Sequence, residues 1–309
     1  MKTVVSFSGG KDSTAMLLRM LELDQDVGKI VFADTLFEFP ELYEYIKRVE
    51  KYIGRNITIL KPKTRKLQLY LNEQLELIYK LKEKGIISDI PKYNESWTKE
   101  SEINEFQEWF YGIVTRGENV GKQRGFPLRA FPCWWTRESK VKPLSNFQKD
   151  VDLVYIGIAY DEKERMSKVD GNLRYPLVDW KWTEQDCINY LNKKNMFNPL
   201  YVNFDRLGCW ICPKQGEKSL YVLWKNYPGL WKEYLWWDNE NYRIKGTWIK
   251  EKSLLEIGRE FEKGKKPNKL PKYECWNGCE SVKRAFQAKQ CGLGLFIDVE
   301  NEEKNSSKS

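Results

Sequence analysis

Apolar runs and amphipathic repeats alternate along the first part of the chain. The short apolar runs at residues 4–7, 29–33 and 56–60 predict buried strands. Between them, segments 14–23 and 41–52 carry apolar residues at helical spacing and predict helices. Strands and helices in strict alternation indicate parallel strands joined by right-handed crossovers. The sequence therefore predicts the start of a doubly wound, mostly parallel α/β sheet.

The alternation stops near residue 64. Residues 67–84 and 102–113 predict two helices, and no further strand is expected before residues 153–158. This stretch therefore reads as a helical insertion or cap over the sheet. Three more helices are predicted, at residues 183–191, 217–238 (with a break at Pro228) and 254–261.

Composition narrows the class of protein. The chain has 309 residues, of which 41% are hydrophobic and 31% are charged, which is typical of a globular protein. No stretch approaches the roughly 18 apolar residues of a membrane-spanning helix, and the first residues run directly into a strand without a signal region. We expect a cytoplasmic protein with no membrane association.

Two residue counts limit the chemistry. The chain contains no histidine, which removes the usual general base near neutral pH and every histidine-containing metal site. It contains 7 cysteines. An odd number in a chain with no secretory signal favours thiol chemistry or metal binding over disulfides.

Positive charge is clustered along the sequence. The chain has 52 basic and 44 acidic side chains, a net charge of +8. The excess is concentrated in residues 47–66 and 122–142. Such clusters suit a polyanionic partner such as a nucleotide, a sulfate ester or nucleic acid. For either cluster alone, a solvated helix face is the simpler interpretation.

The strongest chemical signal is the hexapeptide Ser-Gly-Gly-Lys-Asp-Ser between the first strand and the first helix. Its glycines permit tight curvature and close approach of an anion, and the helix amino end offers free N–H groups. Asp12 is interpreted as a helix cap or as a ligand of Mg²⁺. The segment predicts a cradle for a di- or triphosphate, formed by Ser8, Gly9, Gly10, Lys11, Asp12 and Ser13.

This hexapeptide resembles the PP-loop of the adenine-nucleotide alpha-hydrolase superfamily, the N-type ATP pyrophosphatases. Further segments resemble the PAPS (phosphoadenosine phosphosulfate) reductase family within it. The likeness covers about residues 1–235 and is weak between 64 and 130. The matching segments are residues 32–41, 133–144, 157–165 (with Glu162 and Arg165 in Gly-x-x-x-x-Glu-x-x-Arg), 175–180, 198–201 and 208–213.

The resemblance implies a domain organisation. Residues 1–215 would form the PP-loop nucleotide-binding domain, with the helical insertion at about 64–130. Residues 216–300 would form a helical, cysteine-containing carboxy-terminal region, and residues 301–309 a disordered tail.

The resemblance also implies roles for individual side chains. The hexapeptide would hold the phosphates of ATP or PAPS, with Mg²⁺, and Lys11 and Asp12 would take part in catalysis. Asp34 and Thr35 would lie near the nucleoside, as expected at the carboxyl end of a strand in an open α/β sheet. Lys140 and the catalytic Arg165 would neutralise a phosphate or sulfate. A guanidinium suits this task because it binds oxyanions in a bidentate manner.

Three cysteines are candidate metal ligands. Cys209 and Cys212 form a Cys-x-x-Cys pair, whose spacing lets two thiolates reach one metal or cluster. Cys133 lies where iron–sulfur members of the family carry a cysteine pair, although a tryptophan fills the second place here. The three thiolates could hold a [4Fe–4S] cluster with one open iron. The alternatives are a cluster or Zn²⁺ site completed by Cys275 or Cys279, and a reduced pair without metal.

Cys291 poses a separate question. Its surroundings resemble the carboxy-terminal motif of assimilatory PAPS reductases, in which the cysteine attacks the sulfonate sulfur. Gln290 and Gly294 replace the glutamate and the histidine of that motif. A catalytic nucleophile and a structural cysteine therefore both remain open for Cys291.

Three functions follow from these observations. The first is ATP-dependent activation, releasing AMP and pyrophosphate, in sulfur transfer to an acceptor that could be nucleic acid. The second is reduction of PAPS to sulfite with a thiol reductant. The third is a non-catalytic subunit that binds a nucleotide or nucleic acid. A sulfur-donor protein is a further possible partner in the first case, and the sequence does not indicate an oligomeric state.

Overall fold

The computed structural model describes residues 1–87, 102–127, 132–167, 171–240 and 252–267. Cys275, Cys279, Cys291 and the predicted tail at residues 301–309 lie outside these residues. The strands are β1 (Thr3–Ser6), β2 (Lys29–Ala33), β3 (Ile57–Leu60), β4 (Thr64–Lys66), β5 (Glu102–Asn104), β6 (Leu153–Ile156) and β7 (Leu173–Arg174).

Five of these strands form one parallel sheet in the order β3-β2-β1-β6-β7. Val4 in β1 pairs with Lys29 in β2 on one side and with Val154 in β6 on the other. The central strands are apolar and buried, as expected when helices cover both faces of a parallel sheet. The predicted doubly wound α/β fold is confirmed.

Helices flank the sheet and extend beyond it. In the described part of the chain, no helix is both long enough and apolar enough to cross a membrane. The α-helices are α1 (Lys11–Glu22), α2 (Pro40–Ile53), α3 (Leu67–Glu83), α4 (Glu105–Tyr111), α5 (Trp134–Thr136), α6 (Lys142–Phe147), α7 (Pro176–Asp179), α8 (Glu184–Lys193), α9 (Glu217–Asn226), α10 (Pro228–Asn239) and α11 (Leu254–Glu262). A π-helical segment (Arg137–Val141) joins α5 to α6, and 3₁₀ turns lie at Tyr160–Arg165 and Pro199–Val202.

The insertion after β3 contains strands that the sequence did not predict. β4 and β5 form an antiparallel pair, so the expectation of no strand before residue 153 was wrong. The predicted helix at 102–113 is shorter, because a capping box at Asn104 ends β5 and begins α4. The Asn104 side chain accepts the Gln107 N–H at 2.9 Å, and the Gln107 side chain accepts the Asn104 N–H at 3.0 Å.

The connection between strands changes direction at β1. The chain leaves β1 towards β2 and β3, and later returns to β6 on the other side of β1. Ligands of open α/β sheets bind at the carboxyl ends of the strands at such a switch point. Gly157, which follows β6, lies against the first turn of α1. A Cβ atom at this position would stand 2.7 Å from Ser13 Cα and 2.8 Å from Ser13 N.

The helices after residue 215 share one buried cluster with the sheet and with the end of β2. Phe37, four residues beyond β2, meets Trp210 at a ring-centroid distance of 5.5 Å and Trp237 of α10 at 6.3 Å. Trp231 and Tyr234 of α10 are also buried. These aromatic side chains therefore belong to the core. The domain boundary at residue 215 stays a prediction.

We expect Gly157→Ala to destabilise the protein by about 1–3 kcal/mol, because the added methyl group would overlap the Ser13 backbone, which cannot rotate away. Urea unfolding followed by circular dichroism measures this free energy. Gly171→Ala is the matched control, since a Cβ atom there meets nothing within 4 Å. Equal unfolding midpoints for the two variants would contradict the close approach.

Candidate functional site

The residues of the hexapeptide form a tight bend that closes on itself. Gly9 has a φ of +70°, in the left-handed region, and a Cβ there would lie 2.5 Å from Leu42 Cδ1. The Ser8 and Ser13 hydroxyl oxygens are 3.0 Å apart, and the Ser8 N–H donates to Ser13 Oγ at 3.2 Å. Asn198 fixes the bend from outside by donating to the Gly9 carbonyl at 2.9 Å. The bend is therefore held in one shape.

The amino end of α1 opens into this bend. Gly10 is the N-cap residue and, as a glycine, offers no side-chain acceptor to the first turn. The interpretation of Asp12 as a helix cap was therefore wrong, because Asp12 lies inside the first turn. The N–H groups of the first turn and the helix dipole make this end attractive to an anion. The Lys11 N–H donates to the Tyr201 hydroxyl at 3.1 Å, a contact that the sequence did not predict.

Lys11 is buried and paired with carboxylates. Its ammonium lies 2.6 Å from Glu184 Oε1 and 3.2 Å from Asp12 Oδ2, and its side chain is only 6% exposed. Burial by itself disfavours the charged ammonium. The nearby oxygens of Tyr201, Asp12 and Glu184 outweigh that effect and raise the pKa of Lys11 above its ordinary value. Lys11 is therefore a fixed positive charge at the bend.

Three carboxylates gather around this lysine. Asp12, Glu162 and Glu184 each place an oxygen so that the three lie within 4.8 Å of one another. Burial raises the pKa of Asp12, although the Lys11 ammonium partly opposes the rise. Asp12 Oδ1 is buried and has no hydrogen-bond partner within the described residues. A set of carboxylate oxygens is the kind of ligand that Mg²⁺ prefers.

Arg165 lies at the edge of this group. Its guanidinium forms an ion pair with Glu162, and its side chain is 61% exposed. The structure thus brings Glu162 of the predicted Gly-x-x-x-x-Glu-x-x-Arg segment next to Asp12, and Arg165 joins the group through Glu162. Glu184 was missed by the sequence analysis. It is an ordinary first-turn glutamate of α8, and nothing in its neighbourhood along the chain distinguishes it.

The end of β2 carries the second group of predicted residues. Asp34 and Thr35 are both buried. Asp34 Oδ1 accepts hydrogen bonds from the Leu36 N–H and the Tyr43 hydroxyl, both at 2.8 Å. Thr35 donates its hydroxyl to Glu38 Oε1 at 2.9 Å. These bonds shape the turn after β2, and a contact of Asp34 or Thr35 with a nucleoside stays a prediction.

Cys209 and Lys140 join this second group. The Cys209 thiol donates to Thr35 Oγ1 at 3.3 Å, and the Lys140 ammonium lies 3.4 Å from Glu38 Oε1. Burial, helped by the charge of Glu38, raises the pKa of Cys209 to about 12, against the opposing effects of Lys140 and Thr35. With no metal bound, Cys209 is therefore a protonated thiol at neutral pH.

The other two candidate ligands are close to Cys209 in the fold. Cys212 N–H donates to the Cys209 carbonyl at 3.1 Å in the Cys-x-x-Cys turn. Burial raises the pKa of the Cys212 thiol, and the neighbouring Cys133 adds to the rise. Cys133 begins α5 by accepting the Thr136 N–H at 3.4 Å. All three thiols are partly exposed and free of disulfides. Cys212 interacts electrostatically with both Cys209 and Cys133, so the structure brings the predicted ligands to one region.

The spacing of these thiols bears on the metal. Among the described residues, the three sulfur atoms do not form a group whose members all lie within 4.8 Å of one another. Ligands of one tetrahedral zinc ion, with Zn–S bonds of about 2.3 Å, have sulfurs about 3.8 Å apart. In this arrangement the three thiols would have to move closer together to bind a single zinc ion. The metal assigned to Cys133, Cys209 and Cys212 stays a prediction.

Two curated proteins are similar to this chain at low sequence identity. It is 26% identical to the uncharacterized protein MJ0066 and 24% identical to the uncharacterized protein MJ0973, both from Methanocaldococcus jannaschii. The matches cover 80% and 74% of this chain, but only 44% and 46% of those proteins. The chain thus spans less than half the length of the curated relatives that it matches.

A solved structure and a domain profile also match. The crystal structure of phosphoadenylyl-sulfate reductase from Candida auris, in a phosphate complex, is 14% identical, with a TM-score of 0.37, covering 68% of this chain and 82% of that one. The sequence profile of the phosphoadenosine phosphosulfate reductase domain matches residues 2–215, which include the bend, the end of β2 and all three clustered thiols. The chain therefore belongs to the phosphoadenosine phosphosulfate (PAPS) reductase domain family.

Proposed function

We propose that the protein is an ATP-using enzyme of sulfur transfer. The observation that carries the proposal is the amino end of α1, which has a glycine at its N-cap and opens at the switch point of the sheet beside the buried charge of Lys11. This geometry suits the phosphates of an adenine nucleotide, held in the PP-loop manner by Ser8–Ser13. A reaction that depends on reduced thiols also fits the cytoplasm.

The carboxylates beside the bend favour ATP over PAPS. Release of pyrophosphate builds negative charge on the leaving group, and a divalent cation commonly offsets that charge. Asp12, Glu162 and Glu184 offer a donor set of the right kind, and Asp12 Oδ1, which has no hydrogen-bond partner within the described residues, would be one of the ligands. Mg²⁺ bound there would supply electrostatic stabilisation of the phosphates. Reduction of PAPS to sulfite breaks the sulfur–oxygen bond of the phosphosulfate and no phosphorus–oxygen bond, and it releases no pyrophosphate, so it has no comparable need.

The proposed first step is adenylyl transfer. An oxygen of the acceptor attacks the α-phosphorus of ATP, the bond from that phosphorus to the bridging oxygen breaks, and pyrophosphate leaves. Lys11 and the N–H groups of α1 hold the phosphates and stabilise the developing charge, while Arg165 stands ready to bind an oxyanion. The product is an acceptor activated with AMP.

The proposed second step is displacement of AMP by sulfur. A sulfur nucleophile attacks the activated carbon of the acceptor, and AMP leaves with the electron pair of the broken carbon–oxygen bond. The thiols of Cys133, Cys209 and Cys212 lie beyond β2, the strand next to the one that carries the bend. Lys140 is placed to balance negative charge there. An iron–sulfur cluster held by these thiols would supply an open iron for carrying sulfur.

The expected reaction can be tested on anaerobically purified protein with labelled ATP and labelled PAPS. We expect AMP and pyrophosphate from ATP in the presence of Mg²⁺ and a sulfur acceptor such as bulk transfer RNA. Thiol-dependent sulfite from PAPS would contradict the proposal and favour a reductase in which Cys291 is the nucleophile. Binding of nucleotide without turnover of either substrate would favour a non-catalytic subunit.

Lys11→Met should weaken ATP binding about 10- to 100-fold, because a hydrogen bond to a charged group contributes roughly 1.5–3 kcal/mol. Isothermal titration calorimetry with Mg²⁺ and ATP measures the loss. Lys194→Met is the matched control, since Lys194 pairs with Glu22 at the other end of α1. Circular dichroism checks folding of both variants. Unchanged affinity in folded Lys11→Met would remove the bend from the nucleotide site.

Cys209→Ser combined with Cys212→Ser should reduce bound iron and acid-labile sulfide to background, because the cluster would lose two of its three proposed ligands. Metal and sulfide analysis of anaerobic protein measures this directly. Cys187→Ala is the control, since that thiol is buried on α8 within the core. Zinc without sulfide in the unmodified protein, or iron retained by the double variant, would overturn the cluster assignment.

A further inference from the structure

The contact between Lys11 and Glu184 has a consequence for which form of nucleotide can bind. We propose that Glu184 is a specificity-determining residue that makes nucleotide affinity depend on a divalent cation, so that the metal complex is selected over the free nucleotide. This inference rests on the proposed nucleotide site, and it concerns a residue outside all motifs of the sequence.

A phosphate and Glu184 would compete for the same group, the ammonium of Lys11. Glu184 Oε1 lies 2.6 Å from Lys11 Nζ, in a contact where the lysine side chain is 6% exposed and the glutamate side chain 22% exposed. A phosphate that binds Lys11 must share or replace this carboxylate. Breaking a largely buried ion pair is costly unless both charges find new partners. A phosphate that takes this place satisfies Lys11, and a cation that arrives with it offers Glu184 a new positive partner.

The charges around Lys11 also disfavour a nucleotide that arrives without a cation. Lys11 and Arg165 contribute two positive charges to this region, against three negative charges from Asp12, Glu162 and Glu184. A polyphosphate that arrives without a cation therefore meets a site that is already net negative. A divalent cation that arrives with it reverses this balance and gives the carboxylates a partner.

Hydrogen bonds fix the backbone around Glu184. The Glu184 N–H donates to Asp161 Oδ1 at 3.0 Å, and a capping box between Thr183 and Asp186 anchors the start of α8. A second ion pair, between Glu22 and Lys194, ties the other ends of α1 and α8 together. The two helices therefore hold their positions, and the exchange of partners is left to the side chains.

Glu184→Gln keeps the shape of the side chain and removes its negative charge. We expect this variant to bind metal-free ATP about tenfold more tightly than the unmodified protein, because one carboxylate no longer competes for Lys11 or repels the phosphates. Affinity for the Mg²⁺ complex should change less or fall. A merely structural role of Glu184 would weaken binding in both conditions.

The experiment is a calorimetric titration of ATP into the full chain, once with excess Mg²⁺ and once with EDTA. The ratio of the two dissociation constants should be large for the unmodified protein, smaller for Glu184→Gln, and restored in Glu184→Asp. Glu22→Gln is the matched control, because it removes a carboxylate from the opposite end of the same helix pair and should leave the ratio unchanged.

The outcomes separate the two proposals. If the unmodified protein binds ATP equally well in Mg²⁺ and in EDTA, the selection role of Glu184 is overturned, whether or not the variants fold. If Glu184→Gln leaves the ratio unchanged, the role is likewise overturned. If the unmodified protein binds no ATP in either condition, it is the proposed nucleotide site that fails.

Discussion

The site depends on a lysine that is charged, buried and located at the amino end of a helix. Both the helix dipole and the loss of water oppose an ammonium at that position, so the protein must surround Lys11 with oxygens. Asp12 of α1 and Glu184 of α8 supply them to the ammonium, and Tyr201 of the 3₁₀ turn at Pro199–Val202 accepts the Lys11 backbone N–H. Three distant parts of the chain therefore meet at this one residue.

The same sheet edge connects the bend to the thiols. β1 ends at the bend, and β2, its neighbour, ends at the Asp34–Thr35 turn that contacts Cys209. Trp135 of α5 donates its indole N–H to the Thr35 carbonyl at 3.0 Å, and Trp210 N–H donates to the Phe37 carbonyl at 2.8 Å. The two segments that carry the cysteines are thus fastened to the turn after β2. The two parts of the proposed site are thus supported on adjacent strands.

Patterns of neighbouring residues predicted most of the fold, but they did not predict the contacts between distant segments of the chain. Residues that are adjacent in the sequence are enough to identify the apolar runs of β1, β2, β3 and β6 and the glycine-containing bend. Glu184 reaches Lys11 across 173 positions of sequence and Tyr201 across 190, and no local pattern records such a pairing. β4 and β5 were missed for the same reason, since each is three residues long and is defined by its partner.

The edge strand β7 affects how the protein can contact other chains. β7 consists of two residues, Leu173 and Arg174, and stands at the end of the strand order. These two residues offer a neighbouring molecule too few backbone N–H and C=O groups to extend the sheet. One of the two, Arg174, also carries a charged side chain. Edge-to-edge growth into aggregates by strand addition is therefore disfavoured on that side.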